Sequence, residues 1–178
     1  MAVLERPALT VELPIVLRLA RSSDLPKLEW YGQYTHFRAL FHRTYREQQQ
    51  GRRLMLIADC NDFPIGQLFV QLNTSEYNRH PGQKRAYFYS LLVMDLFQGK
   101  GIGSSLLNKA EAIVMGNGCG WATIAAAKDN PSARRLYERR GYHVVNEDPG
   151  KWSYRDHEGK IQQVHEPCWI LEKRLHLR

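Results

Sequence analysis

Apolar and polar positions change period several times along this chain, and each change predicts an element. Ile15-Val16-Leu17-Arg18-Leu19-Ala20 is a short β-like run. Ser22 and Ser23 follow as candidate N-caps, with Pro26 in the first turn, so a helix is predicted to begin there and to be interrupted at Gly32. Phe37, Leu40, Phe41 and Tyr45 recur at helical spacing and predict a second helix over Thr35–Gln50. Arg53–Asp59 and Ile65–Leu72 read as strands around a turn at Cys60–Pro64, a hairpin. A polar loop over 73–83 then gives way to Arg85–Met94, almost wholly apolar or aromatic, as befits a strand covered on both faces.

From Gly101 the period lengthens again. Leu106, Ala110, Ile113 and Val114 share one helical stripe that Gly116 and Gly118 bring to an end. Trp121–Ala126 is a short buried strand. Asn130 and Pro131 are a cap and first residue for another helix, with Ala133, Leu136 and Tyr137 on one face and Gly141 just past its end. Tyr142–Val145 reads as a strand, Asp148-Pro149-Gly150 as a loop, and His157-Glu158-Gly159-Lys160 as the turn of a hairpin whose last strand runs from Ile161 to Leu175. Strands bracket two central helices, a mixed α/β plan. No repeat or linker divides the chain, so one domain over 15–178 is expected after a loose start at 1–14.

Composition narrows the function classes. A chain of 178 residues fits one domain, and 43% hydrophobic with 11% aromatic residues can build a core, which excludes wholesale disorder. No apolar run reaches the roughly 20 residues of a membrane span, and Glu5, Arg6 and Glu12 interrupt any secretory segment, so no membrane role is expected. Cys60, Cys119 and Cys168 are odd in number and far apart, which argues against a disulfide framework and for a reducing, cytoplasmic setting. The seven histidines show no ligand spacing with Cys or Asp, so no metal is predicted. Lys+Arg 25 against Asp+Glu 18 leaves +7, which asks for a nucleic acid, an acidic partner or an anionic cofactor.

Gln98-Gly99-Lys100-Gly101-Ile102-Gly103, between the apolar strand and the amphipathic helix, favours the third. Glycines let a backbone approach a ligand, and the first N–H groups of a helix have no intrahelical partner, so phosphate oxygens can sit there. The segment is neither a P-loop, since Ser104-Ser105 follow Gly103, nor a GxGxxG dinucleotide fingerprint. About thirty residues on comes Asn130-x-x-Ala133-x-x-Leu136-Tyr137-x-x-x-Gly141-Tyr142. With Val93, then four residues, then Gln98-x-x-Gly101-x-Gly103, these two segments resemble the acyl-CoA signatures of the GCN5-related N-acetyltransferase (GNAT) superfamily.

The resemblance implies an α/β (α+β) fold with a mixed, mostly antiparallel central sheet of six to seven strands and about four flanking helices. It implies acetyl-CoA as cosubstrate and transfer of its acetyl group to a primary amine of a small molecule, peptide or protein. The backbone of Gly99, Lys100, Gly101, Ile102 and Gly103 would cradle the pyrophosphate, with Gln98 and Ser104 flanking it and Lys100 and Arg134 adding positive charge. Leu92 and Val93 would bond the pantetheine arm in strand fashion, Asn130 would meet the same arm, and Tyr137 would protonate the departing thiolate. A phenol near pKa 10 is protonated at neutral pH, which suits that role. Many members form homodimers, though no interface can be read from this chain.

Where many relatives carry a strand carboxylate as base, this chain has Tyr89 and Ser90. A water held by Tyr89, Ser90 and the Leu91/Leu92 backbone is the preferred substitute, ahead of Glu29, His36 and Glu76. Acceptor contacts are expected from Trp30, Tyr31, Tyr34, His36 and Phe37, and from Trp152, Tyr154, Glu166 and Trp169 in the C-terminal hairpin. Two alternatives remain: a basic nucleic-acid- or ribosome-associated module, for which no aromatic-basic RNA motif speaks, and a non-catalytic CoA-binding regulator. Residues 98–140 hold seven basic and three acidic side chains, so the cofactor segments carry much of the excess; residues 1–60 hold nine and six, an excess without a cause.

Overall fold

The computed structural model describes residues 11–75 and 80–176. β1 (Val16–Leu19) leads through three 3-10 turns, Ser22–Asp24, Lys27–Glu29 and Thr35–Phe37, into α1 (Arg38–Gln49). The hairpin β2 (Arg53–Cys60) and β3 (Phe63–Leu72) precedes β4 (Arg85–Val93) and α2 (Ile102–Gly116). β5 (Trp121–Ala127), α3 (Pro131–Arg139), β6 (His143–Asp148), β7 (Lys151–Arg155), β8 (Ile161–His165) and β9 (Cys168–Arg174) complete the order. Seven strands form one sheet in the order β1-β2-β3-β4-β5-β9-β6, and β7 and β8 form a separate ribbon. Among the described residues only β4 and β5 run parallel; the remaining pairs are antiparallel.

Alternation along β2 and β3 sorts the core onto two faces. Leu56, Ala58, Leu68 and Val70 pack with Leu106, Leu107, Ala110, Val114 and Tyr137 of α2 and α3. Met55, Ile57 and Phe69 pack with Phe41 of α1 and with Leu25 and Leu28. β2 is buried from Met55 to Cys60 because both of its faces are covered.

Two boundaries differ from the sequence expectation for identifiable reasons. The predicted first helix breaks into 3-10 turns because Trp30, Tyr31 and Gly32 take φ of 41°, 59° and 98°, which no α-helix accommodates. The predicted last strand splits at Glu166-Pro167, where proline has no N–H for a ladder; β8 pairs with β7, whereas β9 enters the sheet between β5 and β6. The first hairpin turns on Asn61-Asp62 alone, both left-handed (φ 51° and 59°), as a two-residue type I′ turn requires. No helix among the described residues is long and apolar enough to cross a membrane.

Candidate active site

The site starts from a fork in the sheet. β4 pairs with β5 from Arg85↔Trp121 to Phe88↔Ile124, and no further, although both strands continue. The cause is visible in β4: Ser90 has φ 52°, and its ladder with β3 slips between Gln67↔Leu92 and Phe69↔Tyr89. This bulge bends the strand away from its parallel neighbour. Leu92 and Val93 remain hydrogen-bonded neighbours of β3, and their other edge faces the gap. Sequence reasoning placed both residues at the site but had no signal for the bulge.

At the open end of the fork lies the glycine loop. Gly99 and Gly101 have φ of 71° and 83°, and the space a Cβ would occupy at either is empty to 4 Å. Ser105 N–H bonds Gly101 O at 2.9 Å, the first bond of α2. The preceding N–H groups, from Gly99 to Ser104, have no backbone or side-chain acceptor among the described residues. They converge with the positive end of the helix dipole on an open surface, a fitting seat for a pyrophosphate. The Ile102 side chain turns the other way, into the core, where its Cγ2 lies 3.3 Å from the Cβ position of Gly66. Gln98 braces the loop: its amide donates to Val93 O (3.0 Å) and Asp95 Oδ1 (2.9 Å), so its side chain is structural. Lys100 is exposed beside the seat.

α3 supplies the other wall. Asn130 caps it, Oδ1 accepting Ala133 N–H at 3.1 Å, with Pro131 at the first helical position. Tyr137 points inward and is 5% exposed; burial pushes its phenol well above the ordinary value, so it stays protonated at any physiological pH. Its hydroxyl has no hydrogen bond among the described residues, and its ring lies 6.3 Å from Tyr142. Arg134 and Lys128 flank Trp169, at 4.8 and 4.4 Å from its ring, and Arg134 also bonds Glu138. Trp169 is therefore a partner of these two cations.

The proposed water site around Tyr89 loses its main support. Arg53 donates to the Tyr89 hydroxyl at 2.6 Å and also pairs with Glu47. Arg53 is level with Gln71 and hence with Tyr87, so the hydroxyl is held back from the open end. Glu29 is likewise committed: Arg38 bonds both of its oxygens (2.5 and 2.8 Å) and Thr35 bonds one (2.8 Å). The Arg38 bond holds its carboxyl below the ordinary range, which suits an anchor and not a base. Glu76 lies outside the described residues. Glu166 is exposed, with its carboxyl raised by partial burial and by Asp129.

Of the expected acceptor aromatics, five meet, Tyr34 among them at 6.2 Å from His36 and 6.3 Å from Phe37. Phe37 lies 4.8 Å from Tyr154 and 6.5 Å from Trp152, and His36 lies 4.2 Å from Phe37. Tyr34 packs on Trp30 at 5.3 Å, and Asp95 at the fork's exit adds to the burial that raises its phenol. Trp30 is an anchor, its indole N–H donating to Pro64 O at 2.8 Å, while Tyr31 is 87% exposed over Phe63. Among the described residues no cluster of His, Cys, Asp and Glu could hold a metal ion.

A forked mixed sheet with an open glycine-rich helix start at the fork defines the class, and comparison agrees. The sequence profile of the acetyltransferase (GNAT) family matches residues 22–142, and the chain belongs to that family, whose members use acetyl-CoA as cosubstrate. Its fold is similar to that of Arabidopsis thaliana NAA60 in complex with acetyl-CoA (TM-score 0.72, 17% identity, 91% of this chain and 99% of that one). It is also similar to the PaiA N-acetyltransferase of Thermoplasma acidophilum in complex with coenzyme A (TM-score 0.67, 18% identity, 90% and 99%). The mycothiol acetyltransferase of Corynebacterium jeikeium is 25% identical over 84 residues, 47% of this chain and 24% of that protein, so the match spans about a quarter of that relative.

Proposed function

We propose that this chain transfers the acetyl group of acetyl-CoA to a primary amine. The observation that carries the reading is the coincidence, at one end of the sheet, of the β4–β5 fork with unpartnered N–H groups from Gly99 to Ser104. In this reading those N–H groups bind the pyrophosphate, Lys100 and Arg134 add positive charge, and the free edge of Leu92 and Val93 pairs with the pantetheine amides. Asn130 keeps its cap through Oδ1 and offers its amide N–H groups to the same arm. The neutral amine nitrogen attacks the thioester carbonyl, the carbon–sulfur bond breaks, and the thiolate takes its proton from Tyr137. With Glu29 and Tyr89 held by arginines, the amine's proton leaves to solvent water, and solvent returns a proton to Tyr137. The aromatic group Phe37, His36, Trp152 and Tyr154 receives the acceptor.

Thermal denaturation with acetyl-CoA and a thiol-release assay test this together. Saturation near 100 Kd stabilises by about 2.7 kcal/mol, which raises Tm by roughly 5–10 °C. Gly101→Glu removes that rise by placing a carboxylate in the phosphate seat, while Gly101→Ala, with the same left-handed strain and no charge, keeps part of it. No stabilisation by acetyl-CoA or CoA would overturn the reading. Stabilisation without thiol release over a panel of amines and peptides would leave a CoA-binding regulator in its place.

A further inference from the structure

The unexplained charge near the N-terminus has a location. Residues 1–60 carry nine basic and six acidic side chains, and five of the nine fall between Arg38 and Arg53. α1 buries Phe41 and Thr44 against the sheet and turns Arg38, His42, Arg43, Arg46 and Gln49 to solvent, with Gln50 and Arg52 exposed just beyond. Two carboxylates border that surface, and each is already paired. Glu47, the only acid of the helix, sits at its flank and is taken by Arg53; Arg38 is taken by Glu29. Arg43, Arg46 and Arg52 form no ion pair among the described residues. A merely solvated helix face mixes both signs, so a one-sign face calls for a partner of opposite charge.

Its position says which partner. α1 begins directly after Phe37, whose ring packs on Tyr154 and Trp152 where the acceptor enters. A rise of roughly 1.5 Å per residue makes its 12 residues about 18 Å long, the span of five or six residues of extended chain at ~3.3 Å each. Arg43 and Arg46 are neighbours on the helix surface at i,i+3, so their guanidinium groups share one side of it, with His42 next to Arg46 at i,i+4.

Resting on the acetyltransferase reading above, we infer that the acceptor is a peptide or protein segment with acidic side chains in the half-dozen residues after the acetylated amine, which lie along the exposed face of α1. Carboxylates there meet guanidinium groups in the side-by-side geometry that arginine favours. The aromatic group at Phe37 holds the reacting end, and α1 selects by charge.

The test uses the full chain and three synthetic peptides that share their first two residues and carry four Glu, four Gln or four Lys at the next positions. The Glu peptide is expected to exceed the Lys peptide at least about tenfold in kcat/KM, through KM, with the ratio shrinking as ionic strength rises from about 50 to 300 mM. Arg43→Glu/Arg46→Glu reverses the order while acetyl-CoA still raises Tm, which shows that the variant is folded. Equal turnover of the three peptides overturns the charge selection alone. Equal turnover together with salt-dependent RNA binding that the variant loses overturns it in favour of a nucleic-acid surface. No turnover of any of them, with acetyl-CoA still stabilising the fold, overturns peptide acetylation and this proposal with it.

Discussion

Tyr137 is the acid in the proposed reaction, and its surroundings make a clean experiment. Its hydroxyl has no hydrogen bond among the described residues, so Tyr137→Phe removes no intramolecular bond and leaves Tm nearly unchanged. Burial keeps the phenol protonated, which makes it a donor and never a base. Tyr137→Phe is therefore expected to slow turnover roughly 100-fold, the usual scale of a lost general acid, with the acetyl-CoA-induced rise in Tm intact. Turnover equal to that of the parent chain would remove the role. At this scale legibility followed from backbone demand. Gly99 and Gly101 were readable because a left-handed turn at a helix start selects glycine, and Asn130 because a cap before proline selects a short polar side chain. Tyr89 was not readable: its partner Arg53 is 36 residues away, and nothing local announces that the hydroxyl is already engaged.

Among the elements, the segment from β1 to α1 departs most from expectation, and the same residues hold it in place. Ser22, Ser23 and Pro26 are honest start signals, yet a turn of 3-10 helix satisfies them as well as an α-helix does, and the decision falls at Trp30 and Tyr31 downstream. Asp24 closes the turn. Its carboxylate accepts Arg21 N–H at 2.7 Å and both terminal nitrogens of Arg18 at 2.7 and 2.9 Å, while Arg18 Nε reaches Asp59 in β2. Burial pushes the Asp24 carboxyl upward, but the Arg18 bonds, the Arg21 N–H and the Arg18 charge outweigh it and hold it below 3.8, its ordinary value. A depressed folded pKa contributes stability above the ordinary value that disappears as pH falls through the folded one. Asp24→Asn should cost about 2–3 kcal/mol near neutrality, the scale of charge-assisted bonds to a buried carboxylate. In urea titrations the gap between parent and variant should close as pH falls below 3.8, the ordinary carboxyl value. A gap that does not change with pH would show that the carboxylate is not the stabilised species. The helices α2 and α3, by contrast, matched their predicted stripes, because each buries one face on the sheet and its period is set by that alone.

For the whole molecule, the question is how a sheet can be open at one end of two parallel strands without coming apart. The answer lies at the closed end. Arg85 opens β4 and is 1% exposed; its guanidinium donates to Glu172 of β9 at 2.8 Å and lies 3.4 Å from Thr123 Oγ1 of β5. Three strands are thus tied below the last paired residues Phe88↔Ile124, and the bulge at Ser90 acts only above them. His80, stacked on Trp121 at 3.7 Å, lies 3.4 Å from the second Glu172 oxygen and closes the same end. None of this was legible in the sequence, because Arg85 and Glu172 are 87 residues apart and each reads locally as an exposed strand charge. Breaking one half of a buried pair costs far more than removing both, since the survivor stays in a low-dielectric interior. Glu172→Gln should therefore destabilise the fold by about 3 kcal/mol, and the double replacement Arg85→Met/Glu172→Leu should recover most of that loss in the same urea unfolding series. The kinetic consequence separates a tie from mere packing. If the pair sets the fork's opening, the double variant, though stable, leaves β4 and β5 free to spread and raises KM for acetyl-CoA, whereas an unchanged KM at restored stability would make the pair a packing feature of the sheet and leave the bulge alone responsible for the fork.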